Sequence, residues 1–258
     1  MVVHKIAKLV GKRAPEVYTG VISSMPQVRE VAIARYTLPP PIQERARLSQ
    51  EERRLVELAA EARATTRLSY LEILLEMSAK AEHSVDGILD AVSYHRRHSV
   101  NRTWLSREDV LKGRLISVCA TATPGAPLAV LSRVKIGSSC FRHIPLLDFH
   151  VEKSRRSLGI VLSIAHRLLD GPYAVLETPR SYHLVGMQLL TQSQANRFLS
   201  KAILFSPITD HAYIAHQLLE GESALRITSR AEPEDVPRLV RVASHGRQVR
   251  GSCGLSDS

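Results

Sequence analysis

Pro145-Leu146-Leu147-Asp148-Phe149-His150 runs from an apolar strand pattern straight into a carboxylate and an imidazole. Residues two apart on a strand share a face, so the spacing predicts that Asp148 and His150 point together. Such a pair suits one metal ion or one phosphate. Carboxylate plus imidazole favours Mn²⁺ or Zn²⁺, because Mg²⁺ prefers oxygen and would lack a second carboxylate here. The structural alternative is an Asp that caps the following helix and a His held by packing.

About thirty residues on stands Glu177-Thr178-Pro179-Arg180-Ser181-Tyr182-His183-Leu184-Val185-Gly186. Ser181 and His183 again share a strand face, where a hydroxyl and an imidazole can donate to triphosphate oxygens beside the permanent charge of Arg180. Side chains two apart on a strand are poorly placed for a tight Ser–His hydrogen bond, which argues against a nucleophile–base pair. A third element, Pro207-Ile208-Thr209-Asp210, is followed by Ala224-Leu225-Arg226-Ile227-Thr228-Ser229. Asp210 is either a second carboxylate for the site or the N-cap of the helix that starts near Ala212. Arg226 and Thr228 share a strand face toward which a phosphate can lean.

Around these motifs the pattern alternates. Strands are expected over Ile116 to Thr121, Leu128 to Ile136, His143 to His150, Tyr173 to Glu177, Ser181 to Val185 and Ala224 to Thr228. Helices are expected over Ser154 to Leu169, Thr191 to Phe205 and Ala212 to Leu219. The fold class is therefore α+β, with a mixed domain over 106–243. Upstream, Ser49 and Glu52 have capping-box spacing ahead of Leu55, Leu58, Ala59 and Ala62. A second helix carries Leu68, Leu71, Leu74 and Leu75 on one stripe, and a third runs from Ser84 through Ile88 and Val92 to about His98. Residues 49–105 thus read as a helical region, either a small bundle or a helix-turn-helix ending in Arg96-Arg97-His98. Residues 1–48, broken by Pro26 and Pro39-Pro40-Pro41, read as an arm and linker, and 244–258 as a basic flexible tail.

The chain has 258 residues, 35 Lys and Arg against 25 Asp and Glu, and a net charge of +10, a balance that draws polyanions. Cys119, Cys140 and Cys253 are too few and too scattered for a disulfide framework, and no two have metal-ligand spacing. No apolar run is long enough to span a bilayer, and the N-terminus lacks a secretory apolar region, so a cytoplasmic protein without membrane partners is expected.

Taken in order, an Asp-x-Asp-type strand end, a Ser-x-His strand and an acid ahead of Leu-Arg-Ile-Thr resemble the archaeo-eukaryotic primase (primase-polymerase) superfamily, in a divergent bacterial form. The resemblance spans about Ile116 to Ser229. It implies a primase-like palm of the RRM type and a nucleotidyltransferase that handles nucleic acid or nucleoside triphosphates with a divalent metal, Mn²⁺ or Mg²⁺. By position it makes Asp148, His150 and Asp210 the catalytic and metal residues. Arg180, Ser181, His183 and Arg226 become the nucleotide contacts. His150 departs from the family pattern, since a neutral imidazole where a carboxylate is usual weakens a second metal. Two alternatives stay open. One is a non-catalytic nucleic-acid-binding or assembly module. The other is a metal-dependent phosphodiesterase built from His143, His150, His183, His216 and Asp148. DNA or RNA preference and oligomeric state are not legible.

Overall fold

The computed structural model describes residues 2–35, 47–63, 70–81, 86–93, 102–122, 126–229 and 233–244. The chain forms two compact units, one made of residues 1–37 and 97–258, the other of 38–96. The larger unit is α+β, with two antiparallel sheets.

The smaller unit contains helices α3 (Gln50–Arg63), α4 (Tyr70–Ala81) and α5 (Asp86–Ser93). The expected capping box starts it: Glu52 N–H donates to Ser49 Oγ at 3.1 Å, and Ser49 N–H donates to Glu52 Oε2 at 2.8 Å. Leu55, Val56 and Ala59 from α3, Ile73 and Leu74 from α4, and Ile88 and Ala91 from α5 share one small core. Leu75, expected on the apolar stripe, is exposed, and Ile73 takes the inward position. Leu68, Ser84 and Arg96-Arg97-His98 lie outside the described residues, so the helix-turn-helix alternative does too.

In the larger unit, the expected N-terminal arm is instead part of the core. Helices α1 (Val2–Ala7) and α2 (Ala14–Ser23) lead into β1 (Glu30–Arg35). In α2, Ala14, Val17, Tyr18, Val21 and Ile22 are buried, a helical stripe aimed at the core. β1 lies between β2 (Arg102–Ser106) and β3 (Leu128–Lys135), and β4 (Phe141–His143) and β8 (Ala224–Arg226) both pair with β3. An EVAIAR segment buried on both faces needs those distant partners, so its short apolar run reads as a fragment when taken locally.

Residues 116–121, expected as a strand, fall in helix α7 (Arg114–Ala120) and its C-cap Thr121, after the short α6 (Arg107–Leu111). Gly113 at φ 88° turns the chain, and Leu115, Val118 and Cys119 then meet the core at helical spacing. The same apolar residues satisfied both periods, and tertiary packing selected the helix. His143 to His150 is likewise not one strand. It breaks at Ile144-Pro145, where the chain leaves the first sheet at β4 and enters the second at β5 (Leu146–Asp148).

The second sheet has the order β5, β7 (Tyr182–Gly186), β6 (Tyr173–Glu177), β9 (Arg238–Ala243). One of its faces joins α1, α2 and the first sheet in a continuous core. Its other face packs under α8 (Arg155–Leu168), α9 (Gln192–Ile203) and α10 (His211–Glu220). All three helices start close to where they were expected, capped by Ser154, by Thr191 with a full capping box through Gln194, and by Asp210, the one cap foreseen. No helix among the described residues is long and apolar enough to cross a membrane. Residues 245–258 of the expected tail lie outside the described residues.

Candidate functional site

A cleft of about 710 Å³ opens where the ends of β5 and β7 approach β8 and the N-terminus of α10. Asp148, His150, Arg180, Ser181, His183, Asp210 and Arg226 all line it. The seven residues singled out from sequence are therefore brought together, although they come from four separate segments.

Asp148 ends β5, one-third exposed, and its register partner across the ladder is His183 on β7. The imidazole Nε2 stands 3.5 Å from the Asp148 carboxylate Oδ1. Proximity of an acid would favour a charged imidazole, yet burial, and after it the Arg226 cation, push the His183 pKa down to about 3. Burial governs here, because 3.5 Å is longer than a good hydrogen bond and the ring has almost no water contact. His183 is a neutral ring at physiological pH.

His150 follows the strand with its side chain exposed, and its backbone N–H donates to Ile208 O at 2.7 Å. Phe149 bridges to Thr209 and Asp210 N–H donates to Asp148 O at 3.3 Å, so 208–210 runs along the free edge of β5. This pairing carries Asp210 to the cleft. Its carboxylate Oδ1 accepts from Tyr213 N–H at 2.9 Å, so the capping alternative holds as well as the cleft position.

Ser181 closes the β6–β7 hairpin: its N–H donates to Thr178 Oγ1 at 2.9 Å, and its own Oγ accepts from Val151 N–H at 3.0 Å. That hydroxyl ties the loop after β5 to the hairpin. Arg180 projects beside it, exposed. Arg226 is half-buried, and its Nη1 donates to Thr228 O at 2.5 Å and Asp235 O at 2.9 Å, pinning the segment after β8. Thr228, expected on a phosphate-facing position, instead accepts from Leu128 N–H at 2.8 Å in the interior.

Glu152, Thr178, Tyr213 and Asp235 also line the cleft and carried no readable signal, since their approach depends on loop paths. Asp148, Glu152, Asp210 and Asp235 against Arg180 and Arg226 give the lining more acid than base, in a chain that is basic as a whole. Hard oxygen donors of this kind suit a divalent cation. Even so, among the described residues no three His, Cys, Asp or Glu side chains gather as a group able to hold a metal ion. His143 and His216 are not among the lining residues, and His143 Nδ1 lies 3.1 Å from Ser132 Oγ in the interior, so the histidine set of the phosphodiesterase alternative is not assembled.

No curated protein and no solved structure matches the chain. Residues 106–237 match the family described as archaeo-eukaryotic primase 1D-like, over a range that begins at β2 and stops just short of β9. On that match, and with an α+β body carrying the expected motif order, the chain belongs to the archaeo-eukaryotic primase 1D-like family.

Proposed function

We propose that this member of the family handles nucleic acid by binding the phosphate end of a nucleotide in the Asp148 cleft. The observation that carries the reading is the convergence of the Asp148, Ser181–His183, Asp210 and Arg226 motifs on one concavity. Arg180 offers a planar, always-charged fork to phosphate oxygens, and the neutral His183 ring offers a hydrogen bond without a buried charge. Asp148 and Asp210 repel bare phosphates, so the nucleotide is taken best as its divalent-cation complex.

Nucleotidyl transfer by this cleft is weak in the same reading. Asp210 and Arg226 already serve backbone groups, and His150 stands where a second carboxylate would be expected. The Ser-His pair and the permanent cation position a phosphate but do not by themselves organise an in-line attack. A purely binding role is the second reading, favoured by those same structural commitments. A cytoplasmic setting accompanies both, consistent with Cys119 and Cys140 as free thiols.

The test is nucleotide binding and incorporation measured together. Magnesium ATP binding by wild type should weaken about tenfold in Arg180→Ala, the loss of one charge-assisted contact. On a primed template with Mg²⁺ or Mn²⁺, wild type should incorporate slowly, Asp148→Ala not at all, and His150→Asp faster than wild type. Retained binding with no incorporation by any variant assigns the binding role. Nucleotide binding indifferent to both Arg180 and Asp148 removes the cleft from the function.

A further inference from the structure

The larger unit has a second concavity of about 430 Å³, at the end of the first sheet where β1 stops and β2 and β3 begin. Its charge is opposite in kind to that of the Asp148 cleft. Arg35 from the end of β1, Arg102 from the start of β2 and Arg114 from the start of α7 line it, and among the described residues no acidic side chain does. Ile33, Leu105, Val118 and Leu128 supply apolar lining beside Thr103 and Thr121, whose own hydroxyl donates to Val118 O at 3.1 Å.

Arg35 and Arg114 are exposed, and among the described residues neither is in an ion pair. Arg102 is shared: it pairs with Glu222, which does not line the pocket, and its guanidinium stands 5.6 Å from the ring centroid of Trp104. Arg35 and Arg114, without an ion pair among the described residues, form a phosphate-seeking rim over an apolar bed large enough for a nucleobase and sugar, while the Arg102 guanidinium is held by Glu222 and Trp104, neither of which lines the pocket.

We infer that this pocket is a second nucleotide site, one that takes a phosphate-bearing nucleotide unit directly, with no divalent cation. The inference rests on the reading that the chain handles nucleotides, but not on the Asp148 cleft. The two sites divide by electrostatics. The acid-rich cleft needs its phosphates partly neutralised, whereas the arginine-lined pocket prefers them bare. The nucleotide unit belongs either to a free mononucleotide or to a single strand, and the two sources are separable by experiment.

Binding is read in EDTA, with a labelled oligothymidylate of about 12 nucleotides and with ATP, by anisotropy and by the emission of Trp104, the single tryptophan in the chain. Wild type should bind at least one of the two probes, read as a rise in anisotropy or a change in Trp104 emission. Arg35→Glu with Arg114→Glu should weaken binding at least about tenfold, and should reduce the slope of log affinity against log salt by about 1.4, or 0.7 for each phosphate no longer neutralised. Magnesium ATP binding to the cleft should persist in that double variant. Arg35→Gln and Arg114→Gln, at exposed positions, provide the same comparison should the double reversal fail to fold. Binding of the oligomer but not ATP makes the strand the ligand, and the converse makes it the mononucleotide. Absence of metal-free binding of either probe overturns the inference. So does binding that survives both arginine changes yet is lost in Arg180→Ala, which would move the phosphates to the first cleft and leave the proposed function standing.

Discussion

Asp148 and His183 face each other across the β5–β7 ladder, a carboxylate and a neutral imidazole 3.5 Å apart. Because the ring is buried, its pKa lies near 3, far below the ordinary value of 6.5. The unfolded chain takes up a proton on this residue as pH falls below about 6.5, and the folded chain does not until about 3. The stability contribution is therefore complete above pH 6.5 and is lost as pH falls toward 3, at up to about 1.4 kcal/mol per pH unit. Denaturant midpoints measured across that window should fall more steeply for wild type than for His183→Gln, and the His183 ring signals in NMR should not titrate between pH 8 and 5. Titration with a midpoint near 6 would contradict the burial argument.

Arg226 depresses the same imidazole and holds two carbonyl groups after β8. In Arg226→Gln the His183 pKa should rise but stay below the ordinary value, since burial is the larger cause. Loss of the Thr228 and Asp235 contacts should cost about 1–3 kcal/mol, checked by equilibrium unfolding. A pKa unmoved by the change would mean that the guanidinium charge is screened from the ring.

Asp210 has two separable properties, an acceptor for the Tyr213 N–H and a charge in the cleft. Asp210→Ala should destabilise by about 1 kcal/mol, while Asp210→Asn, which keeps an acceptor at the cap, should cost only a few tenths. Any change in magnesium nucleotide affinity in the Asn variant then reports the charge alone. Equal losses of stability in both variants would show that the cap is not what Asp210 contributes.

Gly186 ends β7 against Pro145, its N–H donating to Pro145 O at 2.8 Å. A Cβ at this position would lie 2.7 Å from Pro145 Cγ and 2.9 Å from its Cβ, atoms of a rigid ring. Gly186→Ala should therefore cost about 1–3 kcal/mol. It should also disturb Asp148, because β5 begins one residue after that proline. Thermal unfolding and nucleotide binding should fall together, and a neutral variant would mean that the β5–β7 spacing relaxes without cost.

The parts legible in the sequence are those set by local chemistry. Ser49 with Glu52 announced a helix start, because a cap is decided within four residues. Tyr173–Glu177, a short apolar run, is a strand as expected. Misreadings arose where distant residues decide. Ile116 to Thr121 fitted both periods, and β1 has a role only between strands that begin 72 and 98 residues further along the chain, at Arg102 and Leu128.

At the site, membership was readable and partnership was not. The sequence spacing coupled Asp148 to His150 and Ser181 to His183, each along its own strand. The ladder register instead sets Asp148 opposite His183, while Ser181 bonds Val151 and Arg226 reaches Asp235. Register follows from hairpin length and from which face is buried, neither of which a motif specifies.

The register of β1 and β2 has a further consequence. Ala34 and Arg102 are direct cross-strand partners, so the chain departs and returns at points only about 5 Å apart. In chain order, residues 35–101, the helices of the smaller unit included, are thus one insertion between two paired strands. Loop-closure entropy changes by only about 0.6 kcal/mol for each doubling of length, so a chain can gain or shed such cargo at little thermodynamic cost to the scaffold.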